Sequence, residues 1–112
     1  MGLLDFFRRI AQLSIQIAPG KADVVGGQSH TITCCVSSFL GITDLTWIKK
    51  TADGNELVIV VGVDGKFFGG TLSDPSLTIN NFAKSDEGIY MCRATDRFGT
   101  ISSEDSVITF KG

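Results

Sequence analysis

Residues 86–92 of this 112-residue chain have the sequence Asp-Glu-Gly-Ile-Tyr-Met-Cys, and this stretch decides the fold. Upstream of it stand a single tryptophan, Trp47, and two adjacent cysteines, Cys34 and Cys35. From about residue 14 onward, short runs rich in Val, Ile, Thr and Phe alternate with clusters of Gly, Asp, Asn and Ser. Such runs are typical of short strands joined by tight turns. The chain is therefore predicted to form an all-β domain over residues 14–112.

The order and spacing of these residues resemble the immunoglobulin superfamily over residues 14–111. In that family a cysteine on strand B bonds one on strand F, and a tryptophan on strand C packs against the bridge. A tyrosine two residues before the second cysteine forms the tyrosine corner. The resemblance implies a Greek-key β-sandwich whose core signature residues are Trp47, Asp86, Gly88 and Tyr90.

Two further stretches resemble different members of the superfamily. Residues 92–99 are similar to the I-set pattern Cys-x-Ala-x-Asn-x-x-Gly, with Asp96 in place of the asparagine. Residues 66–70 are similar to the start of strand D in variable (V-set) domains, where a basic residue pairs with the aspartate of the Asp-x-Gly motif. The resemblance implies an I-set-like domain with some V-type features and a salt bridge between Lys66 and Asp86.

Strand alternation distinguishes the two adjacent cysteines, because neighbouring residues of a strand face opposite sheet surfaces. Ile32 and Val36 share the parity of Cys34, which places Cys34 toward the core. We expect a disulfide between Cys34 and Cys92, and an outward-facing free thiol at Cys35. A bridge of this kind indicates an oxidising compartment.

Residues 1–13 differ from the rest of the chain and predict a short amphipathic helix. Asp5, Arg8 and Arg9 lie on one polar stripe, and an isolated helix of about twelve residues is marginal in water. The helix would pack on the sandwich or on a second copy, lie on a membrane surface, or be an appended segment. Only two basic residues lie on the stripe, so packing is favoured over lipid. Its candidate contact residues are Leu3, Phe6, Phe7 and Ile10.

The outward side chains of strands G, F, C and C′ form the candidate binding face. Residues 57–61 of strand C′ are Leu-Val-Ile-Val-Val, whereas a strand with one solvated face alternates apolar and polar residues. An apolar outer surface indicates a partner, or a cover such as the helix or a neighbouring domain. The candidate residues of this face are Ile48, Lys50, Val58, Val60, Met91, Arg93 and Thr95.

Composition and motifs argue against several other classes of protein. The formal net charge of −2 gives no electrostatic footprint for nucleic acid. With one histidine, no Ser-His-Asp arrangement and no phosphate-binding glycine loop, we predict no catalytic residue, no metal site and no cofactor. The sequence contains no stretch of about 18 uncharged apolar residues, so it predicts no transmembrane helix.

These observations favour a non-enzymatic recognition or adhesion module of a cell-surface or secreted protein, with an immune role as a family-level expectation. Its partner would be another protein or a second copy of the chain. One alternative is a structural spacer in a larger or cytosolic protein, with its cysteines reduced; the other is membrane attachment through the helix. Asp5, Arg8 and Arg9 interrupt the apolar run that a signal peptide requires.

Overall fold

The computed structural model describes residues 13–38 and 40–112, and these residues form two packed β-sheets. The strands are β1 (Ser14–Ala18), β2 (Lys21–Val25), β3 (His30–Ser37), β4 (Asp44–Lys50), β5 (Glu56–Val58), β6 (Phe67–Gly69), β7 (Leu77–Ile79), β8 (Gly88–Asp96), β9 (Gly99–Ser102) and β10 (Ser106–Lys111). A 3-10 helix spans Lys84–Asp86. The all-β sandwich predicted from the sequence is confirmed.

The first sheet has the strand order β1-β3-β7-β6, and the second has the order β2-β10-β8-β4-β5 with β9 paired to β8. All pairs are antiparallel except β2 with β10, which is parallel. The chain passes from the first sheet to the second at Pro19-Gly20, between β1 and β2. Proline cannot donate a ladder hydrogen bond, so this is a natural place for a strand to leave one sheet.

The inward residues of both sheets build one core. In β3, Ile32 and Cys34 are buried whereas Thr31, Thr33 and Cys35 are exposed, as the alternation predicts. Burying a large apolar side chain contributes about 1.5–3 kcal/mol, so the stability of the sandwich rests on this layer. Its largest fully buried side chains are Trp47, Tyr90, Phe82, Ile32, Leu77, Ile79 and Ile108.

Gly70 allows the chain to pass close to the central tryptophan. A Cβ atom at this position would lie 2.9 Å from Trp47 Cδ1, and the residue has φ +66°. Both the close approach and the left-handed backbone favour glycine. The glycine thus lets the segment after β6 cover the indole ring.

A bulge interrupts the pairing of β8 with the strands that follow it. Arg93 pairs with Ser102 and Tyr90 pairs with Ser106, so residues 103–105 lie opposite only two residues of β8. The Ser103 hydroxyl occupies the gap and accepts a hydrogen bond from the Cys92 amide at 2.9 Å. Because bulges re-aim nearby side chains, this one bears directly on where Asp105 points.

Two segments predicted from the sequence, the N-terminal helix and strand C′, compare differently with the structure. The helix predicted over residues 1–13, with its contact residues Leu3, Phe6, Phe7 and Ile10, lies outside the described residues except for Leu13. Leu13 is buried and belongs to no helix or strand. Strand C′, expected to reach residue 61, ends at Val58, although the Ile59 amide still donates to the Trp47 carbonyl at 2.9 Å.

Candidate binding face

Cys34 and Cys92 meet in the centre of the core. They come from β3 and β8, on opposite sheets, and are 8% and 0% exposed. Both are free thiols in the structure and belong to one buried cluster. The neighbouring Cys34 thiol, and then burial, raise the pKa of the Cys92 thiol. The disulfide stays a prediction, and the two thiols lie together where it would form.

Asp86 ties together the loop at one end of the sandwich. Its backbone carbonyl accepts a hydrogen bond from the Tyr90 hydroxyl. Its Oδ2 atom accepts from Lys66 Nζ at 2.6 Å and from the Ala83 amide at 2.8 Å. Burial raises the pKa of Tyr90, so this hydroxyl stays protonated and donates. The motif residues Asp86 and Tyr90 thus act in the scaffold.

Gly88 gives room to a lysine on the neighbouring strand. A Cβ atom at residue 88 would lie 2.8 Å from Lys49 Cε. Lys49 Nζ donates to the Ser85 carbonyl at 2.6 Å and lies 5.8 Å from the centroid of the Tyr90 ring. Burial lowers the pKa of Lys49. The glycine of the motif therefore has a packing role.

The outer surface of the second sheet has an apolar centre that is not accessible. Ile48 pairs with Met91 across β4 and β8, and with Val58 across β4 and β5. Ile48 and Met91 were expected to face solvent, but they are only 2% and 4% exposed. We call these two residues the outer pair. The expectation that the outer pair offers free contact surface does not hold.

Two ion pairs lie across the strands that carry the outer pair. Lys50 Nζ is 3.1 Å from Asp105 Oδ1, so the side chains of β4 and the bulge meet across β8. Arg93 Nη2 is 3.9 Å from Glu56 Oε1, so the side chains of β8 and β5 meet across β4. The aliphatic parts of long charged side chains cover apolar surface well. We therefore expect these two pairs to contribute to the cover over the outer pair.

The remaining candidate residues surround this centre. The Arg93 Nε atom donates to Ser102 Oγ at 3.2 Å, and the hydroxyls of Thr95 and Thr100 are 2.8 Å apart. Val58 and Val60 are exposed, at 66% and 62%. The face thus has a charged and hydroxylated middle and an apolar margin along β5.

A rigid turn beside this face carries an exposed aromatic residue. Asp96 Oδ1 accepts from the amides of Phe98 and Gly99 at 2.8 and 3.2 Å, and Oδ2 accepts from Ser38 Oγ at 2.7 Å. The hydrogen bond from Ser38, followed by that from the Phe98 amide, lowers the pKa of Asp96. Phe98 is 67% exposed at the tip, and Leu40 in the adjacent loop is 48% exposed.

Sequence reasoning singled out Thr95 at the start of this turn but no residue beyond it as a contact. The signal was present in residues 96–99, Asp-Arg-Phe-Gly. An aspartate that bonds the backbone two residues on, followed by glycine, is a turn pattern, and it displays the residue between them. Phe98 is therefore an addition from the structure to the candidate face.

Two chemistry-bearing residues lie away from this face. Cys35 is exposed on the outside of the first sheet, opposite Gln16 of β1. His30 Nε2 is buried without a hydrogen-bond partner among the described residues, and burial lowers the pKa of His30. Within residues 13–38 and 40–112, no three His, Cys, Asp or Glu side chains lie together as metal ligands would. None of the helices in that part of the chain is long and apolar enough to cross a membrane.

The two sheets enclose a buried cluster of Cys34, Trp47 and Cys92, and β5 extends the second sheet beside β4. These features define an immunoglobulin-like sandwich of the kind seen in variable domains. The family model described as "Immunoglobulin V-set domain" matches residues 17–110. The chain therefore belongs to the immunoglobulin V-set family. The match supports the superfamily inferred from the sequence but not the I-set subtype. A comparison with curated proteins finds no match.

Domains of this family are generally non-enzymatic, generally bind proteins, and are typical of cell-surface and secreted proteins.

Proposed function

We propose that this domain is a non-enzymatic protein-recognition module of a cell-surface or secreted protein, and that it binds a protein partner through the outer face of β10, β9, β8, β4 and β5. The observation that carries the proposal is the make-up of this face. Exposed Val58 and Val60 lie beside Lys50, Arg93 and Thr95 on one continuous sheet surface.

The apolar margin and the charged middle of this surface contribute to binding in different ways. The valines of the β5 margin supply apolar area whose removal from water favours association. The ion pairs of the middle, each one-third to one-half exposed, contribute little to stability, since surface pairs are worth about 0–1 kcal/mol. Their charges remain available to orient a partner and to exclude one with the wrong charge pattern.

The exposed turn extends the same surface at one end. Asp96 accepts two hydrogen bonds from the backbone amides around Phe98 and is itself held by the Ser38 hydroxyl, so the ring is presented without a large ordering cost. Buried aromatic anchors are frequent among the residues that dominate binding energy. We therefore include Phe98 in the proposed contact surface.

A cell-surface or extracellular location, in a larger protein, fits the proposed disulfide. Cys34 and Cys92 belong to one buried cluster and come from opposite sheets, as that bond requires. No cofactor, metal, nucleic acid or membrane surface enters the proposed role.

The test uses the tetramerised full chain as a probe on an array of extracellular domains. The charge reversal R93E alters the middle of the face, and K21E is the matched control because Lys21 is exposed on β2, at the far edge of the same sheet. We expect R93E and F98A each to weaken the affinity for a bound partner at least tenfold, and K21E to leave that affinity unchanged. A partner bound equally by R93E and F98A would contradict the proposed face.

A structural spacer is the second candidate, and one observation favours it. The outer pair is already buried without a partner, and the ion pairs Lys50–Asp105 and Arg93–Glu56 lie across the strands that carry it. The redox state of protein from its natural source separates the two functions: a bonded Cys34–Cys92 pair favours the extracellular module, and reduced thiols favour a cytosolic spacer. Membrane attachment through residues 1–13 falls outside the described residues, and co-sedimentation with liposomes, with and without that segment, tests it.

A further inference from the structure

The backbone of β5 has one side without a partner. Thr51 N donates to Asn55 O and Ile59 N donates to Trp47 O, both at 2.9 Å, so the odd-numbered residues of this segment bond to β4. In an antiparallel ladder the residues between them direct their N–H and C=O groups the other way. The backbones of Glu56, Val58 and Val60 therefore point outward from the sheet. No described residue bonds these groups.

The side chains of this edge do not protect it. Residues 56–60 are Glu-Leu-Val-Ile-Val, with no proline, no lysine and one charge. Leu57, Val58 and Val60 are 53%, 66% and 62% exposed. Proteins ordinarily blunt an edge strand with lysine, proline, a bulge or a covering element. The β5 edge has none of the first three, and among the described residues no covering strand.

The other edge strands of the sandwich each carry such a device. β1 alternates polar and apolar residues and ends against Pro19. β2 carries Lys21 and Asp23. β6 ends at Gly69, whose φ of +73° turns the chain away. β9 is a polar strand of four residues. The exposed, apolar and unblocked edge is therefore a particular property of β5.

Unpaired backbone groups specify an extended strand as the partner, and the side chains specify which kind. A strand added to β5 continues two surfaces, with Val58 and Val60 on one side and Leu57 and Ile59 on the other. It must therefore be apolar on both sides. Residues 57–61 are the longest uninterrupted apolar run in this chain, so a second copy supplies such a strand.

Charge complementarity sets the direction of pairing. Glu56 is the one charged residue of the edge segment. In a parallel pair the two carboxylates would lie side by side, and like charges directly opposite are destabilising. In an antiparallel pair centred on Val58, each Glu56 lies opposite Val60 of the other copy. The two carboxylates are then about 13 Å apart along the strands.

We infer that two copies of this chain associate edge to edge, by antiparallel pairing of residues 56–60 with Val58 on the two-fold axis. The two larger sheets join into one, and their outer faces remain free for the partner proposed above. A short edge contact falls below the roughly 1,200 Å² of a standard interface, so the dimer is weak and forms with rising concentration.

Light scattering on the full chain, over a concentration series up to about 1 mM, tests this assembly, because millimolar affinities are measurable there. The wild type is expected to rise from the monomer mass of 12.0 kDa toward twice that value. In V58K two lysines meet on the axis, and the variant is expected to stay monomeric over the whole series. V63K is the matched control, because Val63 is 75% exposed but lies outside β5.

A mixed sample tests the register itself. V58E alone is expected to stay monomeric, whereas V58K mixed with V58E is expected to dimerise, since opposite charges then face each other across the axis. A wild type that remains at 12.0 kDa throughout, or a V58K that dimerises like the wild type, would overturn the edge pairing. So would a loss of dimer in V63K. A mixture that stays monomeric would overturn the position of Val58 on the axis.

Discussion

The same two strands carry two buried pairs that differ in what covers them. Trp47 pairs with Cys92 on the inner side of β4 and β8, and Ile48 pairs with Met91 one residue further along, on the outer side. The inner pair is 1% and 0% exposed, and the outer pair 2% and 4%. The inner pair is buried by the opposite sheet, a fixed layer of secondary structure. We infer that the outer pair is covered by the long side chains of the two ion pairs beside it.

The comparison teaches that burial on a sheet does not by itself identify the core. A cover made of another sheet cannot be removed without unfolding the domain. A cover made of lysine, arginine and carboxylate side chains can be rearranged at low cost, because surface ion pairs are worth about 0–1 kcal/mol. The inner pair therefore belongs to the scaffold, and the outer pair lies beneath a surface suited to recognition.

The largest effect is expected at the inner pair. Replacing Trp47 with alanine leaves a cavity between two fixed sheets and removes the hydrogen bond from Nε1 to the Pro75 carbonyl. We expect W47A to lose about 3–5 kcal/mol of unfolding free energy, or to fail to fold. Urea denaturation followed by tryptophan-independent circular dichroism measures this. A loss below 1 kcal/mol would show that the two sheets close over the cavity as easily as flexible side chains close over the outer pair.

The second effect concerns the thiols of the inner layer. In an oxidising buffer Cys34 and Cys92 are expected to form a disulfide that adds on the order of 2–4 kcal/mol to stability. Intact mass with and without reductant checks the bond, and urea denaturation of the two forms checks its contribution. C35S is the control and should keep the bond, because Cys35 faces away from the core. Loss of the bond in C35S would sink the pairing.

A smaller effect is expected at the outer pair. I48A removes a side chain whose cover consists of flexible chains that can close over the gap, so we expect a loss of about 2 kcal/mol, at the low end for this substitution. The urea midpoint, compared with that of W47A, gives the ratio. Equal losses for the two variants would mean that the outer cover is as rigid as the opposite sheet.

The sequence predicts the part of this contrast that depends on neighbouring residues. It does not predict the part that depends on contacts between residues far apart in the chain. The alternation in β3 assigned Cys34 to the core, because strand parity carries that information. The resemblance to the immunoglobulin superfamily implied the core roles of Trp47 and Tyr90. The match to the V-set family rather than the I-set was less accessible. Residues 92–99 resemble the I-set, whereas residues 66–70 resemble the V-set.

The cover over the outer pair could not be predicted in the same way. It depends on two contacts between residues far apart in sequence, Lys50 with Asp105 and Arg93 with Glu56. The first of these also depends on the bulge at residues 103–105, which shifts the register after β9. Parity alone placed Ile48 and Met91 on the correct side of the sheet but not under a cover.

The smallest expected effect is the pH dependence contributed by His30. Burial lowers the pKa of His30 in the folded protein below the value of 6.5 for a free histidine. The unfolded state therefore binds the proton first, and stability is expected to fall as the pH drops through about 6.5 toward the lower folded pKa. Urea midpoints between about pH 7.5 and pH 5.5 measure the slope. H30Q should be flatter over this interval; an unchanged slope would assign the effect to other groups.

The most direct test of the account is the solvent access of Met91, measured as its rate of oxidation by hydrogen peroxide with peptide mass spectrometry. The account predicts slow oxidation of Met91 in the folded wild type and much faster oxidation in the double variant K50A/R93A, where both ion pairs are lost. K21A, on the far edge of the same sheet, should behave as the wild type. Met91 oxidised in the wild type as fast as free methionine, or at the same rate in K50A/R93A, would contradict the covered outer pair.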